Sequence, residues 1–309
     1  MSALSEAAEQ YLRLRRSLGH DLADAHRLLP RFVAYLDDIG ATTITVAAAM
    51  AWAQQPDADP ESTVWSRRLT VARGFARHMA ALDPRTEVPP LGLIPLRARW
   101  RAPFIYSPAD IASLMAQARS MRWRLPAASH ETLIGLLAAT GIRVGEALRL
   151  DRGDVDTTDG VLMIRESKFG KSRQVPVLAS TAAALDRYAS LRDRLCPRPE
   201  TPSFLVSIRG TRMIYPVVQQ SFRRLCDTAQ IGLDTATRPR IHDLRHTFAV
   251  SVLLAWYTAG DDVEARLPIL STYLGHRDPR STYWYLSAAP ELLALAANRL
   301  QLSRGVIAR

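Results

Sequence analysis

Leu28, Leu29, Phe32, Val33 and Leu36 recur at the three- and four-residue spacing that lays one stripe of a helix against a core. Gly40 follows as a C-terminal stop. Thr42 or Thr43 is placed to cap a third helix running through Gln55, and the stretch from Pro56 to Pro60 breaks it. From about Glu61 to Ala81, Val71, Phe75 and Met79 share one helical face while Arg67, Arg68, Arg73 and Arg77 point elsewhere. The pattern predicts four short helices forming a small bundle over residues 1–83.

Between Pro84 and Pro108 the periodicity dissolves. Prolines at 84, 89, 90, 95, 103 and 108 alternate with Arg97, Arg99 and Arg101, which predicts an extended basic linker over 84–106. Ser107-Pro108-Ala109-Asp110 then reads as a helix start, with a cap, a proline at the first helical position and an early acid. Helical spacing dominates to about Leu150. Val161 to Arg165 and Arg173 to Val177 alternate apolar and polar residues around a loop containing Gly170, predicting a β-hairpin. Helices resume at Ser180 to Leu195, Pro216 to Gln230, His242 to Tyr257 and Pro290 to Leu300. The expected fold is mainly α with a small β-hairpin (α+β), with a second domain over 107–309.

Composition adds a partner class. Forty Lys and Arg against thirty Asp and Glu leave a formal charge of +10, and the excess is mostly arginine, which suits phosphate oxygens. Cys196 and Cys226 lack the spacing of a zinc site or a disulfide framework, which predicts reduced thiols in a cytoplasmic protein. The first residues carry no signal peptide pattern, and no run approaches the roughly 20 apolar residues that span a bilayer. No membrane partner is expected.

Four segments concentrate groups suited to a phosphodiester. In Thr140-Gly-Ile-Arg143-Val-Gly-Glu146-Ala-Leu-Arg149-Leu150, Arg143 enters a helix from a glycine turn and Glu146 lies three residues on. The hairpin loop Ser167-Lys168-Phe169-Gly170-Lys171-Ser172-Arg173 offers ammonium groups as proton donors. In Ile241-His242-Asp243-Leu244-Arg245-His246, His242 and Arg245 are helical neighbours. The His242/His246 pair has metal-ligand spacing, but Asp243 stands where a zinc protease has glutamate, so no metal or other cofactor is expected. The last segment, Tyr273-Leu-Gly-His276-Arg-Asp-Pro-Arg-Ser-Thr-Tyr283-Trp-Tyr285, ends a helix, turns, and presents two tyrosines.

Together these segments resemble the tyrosine recombinase (phage integrase) family, over about Ser107 to Leu300. The boxes T-G-x-R-x-x-E-x-L-x-L, a hairpin lysine, H-x-L-R-H-T-F and L-G-H follow in the family's order. The resemblance implies Arg143, Lys168, His242, Arg245, His276 and Tyr285 as catalytic residues, Tyr285 lying nine residues beyond His276 with Tyr283 as a decoy. It implies a helical core-binding domain over 1–83, with Arg68, Thr70 and Arg73 as DNA contacts and Lys171 and Arg173 added from the hairpin. It implies double-stranded DNA with specific sites as substrate, and a homo-tetramer or a hetero-tetramer formed with a sister recombinase. The arginine-rich composition favours integration, excision or transposition of a mobile element over a chromosome-dimer-resolving Xer-type role. A catalytically silent accessory subunit, a relaxing topoisomerase and a helical zinc hydrolase stand as rivals. The span from Trp256 to Ala265 looks like an insertion relative to Xer-type members.

Overall fold

The computed structural model describes residues 2–20, 22–59, 62–94, 102–165, 172–233, 235, 238–276 and 282. The chain divides into two compact units, Met1–Trp100 and Arg101–Arg309.

The first unit holds α1 (Ala3–Ser17), α2 (Ala23–Asp38), α3 (Val46–Ala53) and α4 (Val64–Met79). Leu29, Phe32, Leu36, Ile44, Trp52, Leu69 and Phe75 are fully buried between them. Phe32 and Trp52 meet with ring centroids 4.8 Å apart. Each such side chain contributes roughly 1.5–3 kcal/mol on burial. The cap of α3 is Thr45, whose hydroxyl accepts from the Ala48 N–H, rather than Thr42 or Thr43. Thr43 instead hydrogen-bonds Thr86. Residues 84–94 are drawn back onto this unit. The Glu87 N–H donates to the Ile44 carbonyl at 2.8 Å, and its carboxylate accepts from the Val46 N–H at 2.7 Å.

The second unit opens at α5 (Pro108–Arg119), at the helix start that the sequence predicts, and the Ser107 cap and the Asp110 acid there form a reciprocal capping box. It continues through α6 (Arg124–Thr140) and α7 (Val144–Arg149) into a sheet of β1 (Val155–Asp156), β2 (Val161–Ile164) and β3 (Arg173–Pro176). The strands run antiparallel in the order β1-β2-β3, with Ile164 opposite Arg173. The hairpin is therefore present, with a two-residue strand added at its edge that alternation is too short to show. Helices α8 (Ala179–Leu195), α9 (Tyr215–Thr228), α10 (Asp243–Ala259) and α11 (Val263–Leu274) complete the described elements. Leu114, Leu133, Leu162, Val175, Phe204, Phe222 and Leu244 fill one core. Leu253, Leu267, Leu270 and Leu274 pack α10 on α11.

The stretch from Trp256 to Ala265 is a helical corner. Gly260 ends α10 in the left-handed conformation, and the Asp262 side chain caps α11 by accepting from the Ala265 N–H. The helix expected over Pro290 to Leu300 and the basic stretch from Arg97 to Arg101 lie outside the described residues. Among the described residues, no helix is long and apolar enough to cross a membrane. Both cysteines are free. Burial pushes the Cys226 thiol up to about 12, so it is protonated and inert at neutral pH.

Candidate functional site

Two helix ends and two helix starts meet in the second unit. Helix α6 ends at Gly141 (φ +60°) and α11 at Gly275 (φ +71°), both in the left-handed conformation that glycine adopts without penalty. Such ends leave carbonyls without intrahelical partners and carry the negative pole of the helix dipole. Guanidinium groups occupy them. Arg245 donates through Nη1 to the Gly141 carbonyl at 2.8 Å and through Nη2 to the Leu274 carbonyl at 2.9 Å. Arg143 donates through Nη2 to the Gly275 carbonyl at 2.9 Å.

Arg143 is the N-cap of α7 and Arg245 lies in the first turn of α10. The Glu146 carboxylate accepts from the Arg143 backbone N–H at 3.0 Å and from Nη1 at 2.8 Å, fixing backbone and side chain together. The start of α10 is held by Asp243, which is buried and accepts from the backbone N–H, Nε and Nη2 of Arg240. The Tyr106 hydroxyl also reaches the Arg240 carbonyl, at 3.1 Å. His242 and Arg245 therefore project from a pinned helix end.

The imidazoles are held neutral. Burial, then the charges of Arg245, Arg143 and Arg173, lower His276 to about 4. Burial and Arg245 also lower His242. His246 falls to about 3 through burial and then the neighbouring His242. The rings of His242 and His246 lie edge to face, 5.1 Å apart. The His276 Nδ1 shares a 2.8 Å hydrogen bond with the Thr282 hydroxyl, and Thr282 is fully buried.

The structure thus brings together Arg143, His242, Arg245 and His276. Lys168, Lys171, Tyr283 and Tyr285 lie outside the described residues. Three of the expected DNA contacts have partners within the protein. Arg68 is buried, donates to both carboxylate oxygens of Asp57 at 2.8 and 2.6 Å, and lies over Trp52. Arg73 is buried and donates to the carbonyls of Pro89 and Pro90 at 2.8 and 2.9 Å. Both helical positions face inward because those long side chains reach acceptors across the bundle. Arg173 is turned into the site itself, pairing with Glu146 rather than facing solvent. Thr70 is exposed, as is Arg77 seven residues on.

Sequence reasoning missed the carbonyls of Gly141, Leu274 and Gly275, which carry no side-chain signature. The usable signal was the glycine in each box, since a helix-ending glycine marks where unpaired carbonyls gather. Thr282 was also missed.

The phage integrase family model matches residues 106–291, which includes every residue of this site. The chain belongs to the phage integrase family. A protein named as an integrase/recombinase (y4rB) of Sinorhizobium fredii is 42% identical over 97% of this chain and 98% of its own. The tyrosine recombinase XerD of Caulobacter vibrioides is 28% identical over 89% of this chain and 81% of its own. Among solved structures, the Tn1549 transposon integrase in complex with transposon right end DNA shares the fold. It has a TM-score of 0.66 at 16% identity, over 96% of this chain and 98% of that one. The chain is thus a tyrosine recombinase by family, with Xer-type relatives.

Proposed function

We propose that this chain cleaves and rejoins double-stranded DNA at specific sites through a covalent bond between Tyr285 and a 3′-phosphate. The observation that carries this reading is the convergence of Arg143 and Arg245, each locked by helix-end carbonyls, beside two neutral imidazoles.

A phenol with an ordinary pKa near 10 is a weak nucleophile, so the site must stabilise charge developing at phosphorus. Guanidinium forks match phosphate oxygens in pairs. The two hydrogen bonds of Arg143 use two of its five N–H groups, and the side chain is a quarter exposed, so donors remain for a phosphate. In this scheme the Tyr285 oxygen attacks phosphorus and the bond to the 5′ oxygen breaks. Lys168 protonates the departing 5′ oxygen to give the 5′-hydroxyl, and His242 or His276 accepts the phenolic proton. A phosphate between the arginines offsets the charges that depress His276, so DNA binding itself raises its basicity. Religation by a new 5′-hydroxyl reverses these steps and conserves the phosphoester.

The substrate class extends to two DNA sites held by a tetramer of this chain, alone or with a sister recombinase. Integration, excision or transposition of a mobile element fits the composition. The basic linker and the exposed Thr70 face of α4 are the surfaces assigned to the duplex.

Overlapping nicked duplexes tiling the DNA beside the gene test the reading, because a nick lets the cleaved end escape and traps the adduct. Wild type, Tyr285→Phe and Tyr283→Phe are compared on a denaturing gel with EDTA present. The expected result is an adduct lost only in Tyr285→Phe. Loss only in Tyr283→Phe reassigns the nucleophile. DNA binding without any adduct favours the silent accessory subunit.

A further inference from the structure

We propose that Arg173 is a positioning residue for strand cleavage, holding Arg143 and His276 in one register by clamping Glu146 to the last turn of α11. The inference rests on the reading above and extends it to a residue outside the six with assigned roles.

Arg173 opens β3, and its guanidinium sits at a three-way junction. Nη1 and Nη2 donate to the two oxygens of Glu146 at 3.1 and 2.9 Å. Nε donates to the Tyr273 carbonyl at 3.0 Å and Nη2 also to the Leu274 carbonyl at 3.2 Å. Glu146 receives two N–H groups on each oxygen, two from Arg143 and two from Arg173, which fills the capacity of a carboxylate. Arg143 returns to the same turn of α11 through Gly275. The bonds close a ring: Arg173 to Glu146, Glu146 to Arg143, Arg143 to Gly275, and Leu274 back to Arg173. His276 is the next residue along the chain, and its backbone N–H donates to the Ser271 carbonyl.

Close packing enforces the ring. A Cβ on Gly275 would stand 2.8 Å from the guanidinium carbon of Arg173, so the cation lies directly on that backbone. The side chain is only 15% exposed, and the four bonds point into the protein. A contact to DNA does not fit that geometry. Lysine does not replace it either. An ammonium is a point donor without the planar fork that spans a carboxylate and two carbonyls.

The test separates positioning from simple support of the fold. Single-turnover cleavage of the trapping duplexes is followed for wild type and Arg173→Lys, alongside duplex affinity and thermal melting. Displacing a catalytic group by about 1 Å costs on the order of 100-fold in rate. Arg173→Lys is expected to lower the cleavage rate constant by about that factor, with affinity and melting close to wild type. Arg173→Gln, which removes a cation facing His276 alongside Arg245, Arg143 and Glu146, should move the acid limb of the rate profile to higher pH. Arg173→Ala supplemented with guanidinium chloride well below denaturing concentrations should recover rate, whereas an alkylammonium salt should not. An unchanged rate constant in Arg173→Lys overturns the proposal, as does a loss of amplitude alone or an absence of guanidinium rescue. Absence of any adduct in wild type instead defeats the cleavage reading on which the proposal stands.

Discussion

Arg245 donates to the carbonyl of Gly141 at 2.8 Å, and Gly141 lies two residues before Arg143. The turn that launches one arginine therefore restrains the other. Gly141→Ala attacks both at once. Its left-handed backbone costs about 1–2 kcal/mol for a residue with a Cβ. That Cβ would also lie 2.4 Å from the Phe248 ring, adding an overpacking cost of about 1–3 kcal/mol. Denaturant unfolding should show a loss in the summed range, with cleavage reduced further than binding. Gly153→Ala, where a Cβ meets nothing within 4 Å, should stay within about 0.5 kcal/mol of wild type.

Stability should fall with acidity in two stages. His276 at about 4 and His246 at about 3 sit below their ordinary 6.5, so below pH 6.5 the unfolded chain takes up protons that the folded chain refuses. Their contribution is complete above pH 6.5 and drains as the pH drops toward 4 and then 3. Burial raises the Glu146 carboxyl, but hydrogen bonds from Arg173 and Arg143 outweigh it and hold the group at about 2, against 4.5 ordinarily. Its contribution is present above pH 4.5 and disappears toward pH 2. Urea midpoints should hold between pH 8 and about 6.5 and decline from there to pH 3. A midpoint that climbs below pH 6 would contradict these assignments.

Thr282 ties His276 to a segment three residues short of Tyr285. Thr282→Val preserves shape and removes the hydroxyl. Loss of one such bond costs about 0.5–1.5 kcal/mol, equivalent to a roughly two- to tenfold drop in cleavage rate. Nitrogen chemical shifts of His276 should also report a changed tautomer balance. Unaltered shifts would show that the hydroxyl does not orient the ring.

Salt titrations distinguish surface arginines from buried ones. Removing a phosphate-contacting cation flattens the dependence of binding on salt by about one unit of slope. Arg77→Ala, on the exposed face of α4, should do so. Arg73→Ala should leave the slope alone and destabilise the first unit by about 1–3 kcal/mol, because the Pro89 and Pro90 carbonyls lose their donor. Arg68→Ala should behave similarly with a smaller cost, since Asp57 remains solvated. A flattened slope in either buried variant would restore it as a DNA contact.

The helices were legible wherever burial followed a single period, as in Leu29, Phe32 and Leu36. The capping box at Ser107 and Asp110 was legible because both partners are side chains three residues apart. The burial of Arg68 and Arg73 was not legible, because charge predicts exposure whereas a long side chain reaches an acceptor from an inward position. The partners of Arg173 were hidden in the same way. Its partners Glu146, Tyr273 and Leu274 lie 27, 100 and 101 residues away, beyond any local pattern. The boxes around Arg143, Arg245 and His276 marked the site, while the carbonyls that aim the arginines had no letter of their own.

The bond from Arg143 to Gly275 closes across 132 residues of chain. A ribosome therefore delivers the first arginine, the hairpin and the second arginine before the turn against which they brace. A nascent chain halted short of Tyr273 lacks the Leu274 and Gly275 carbonyls, and each arginine keeps only its bond to Glu146 or Gly141. Under the cleavage proposed above, the aim of both arginines is thus completed late in synthesis, once the α11 turn has been made.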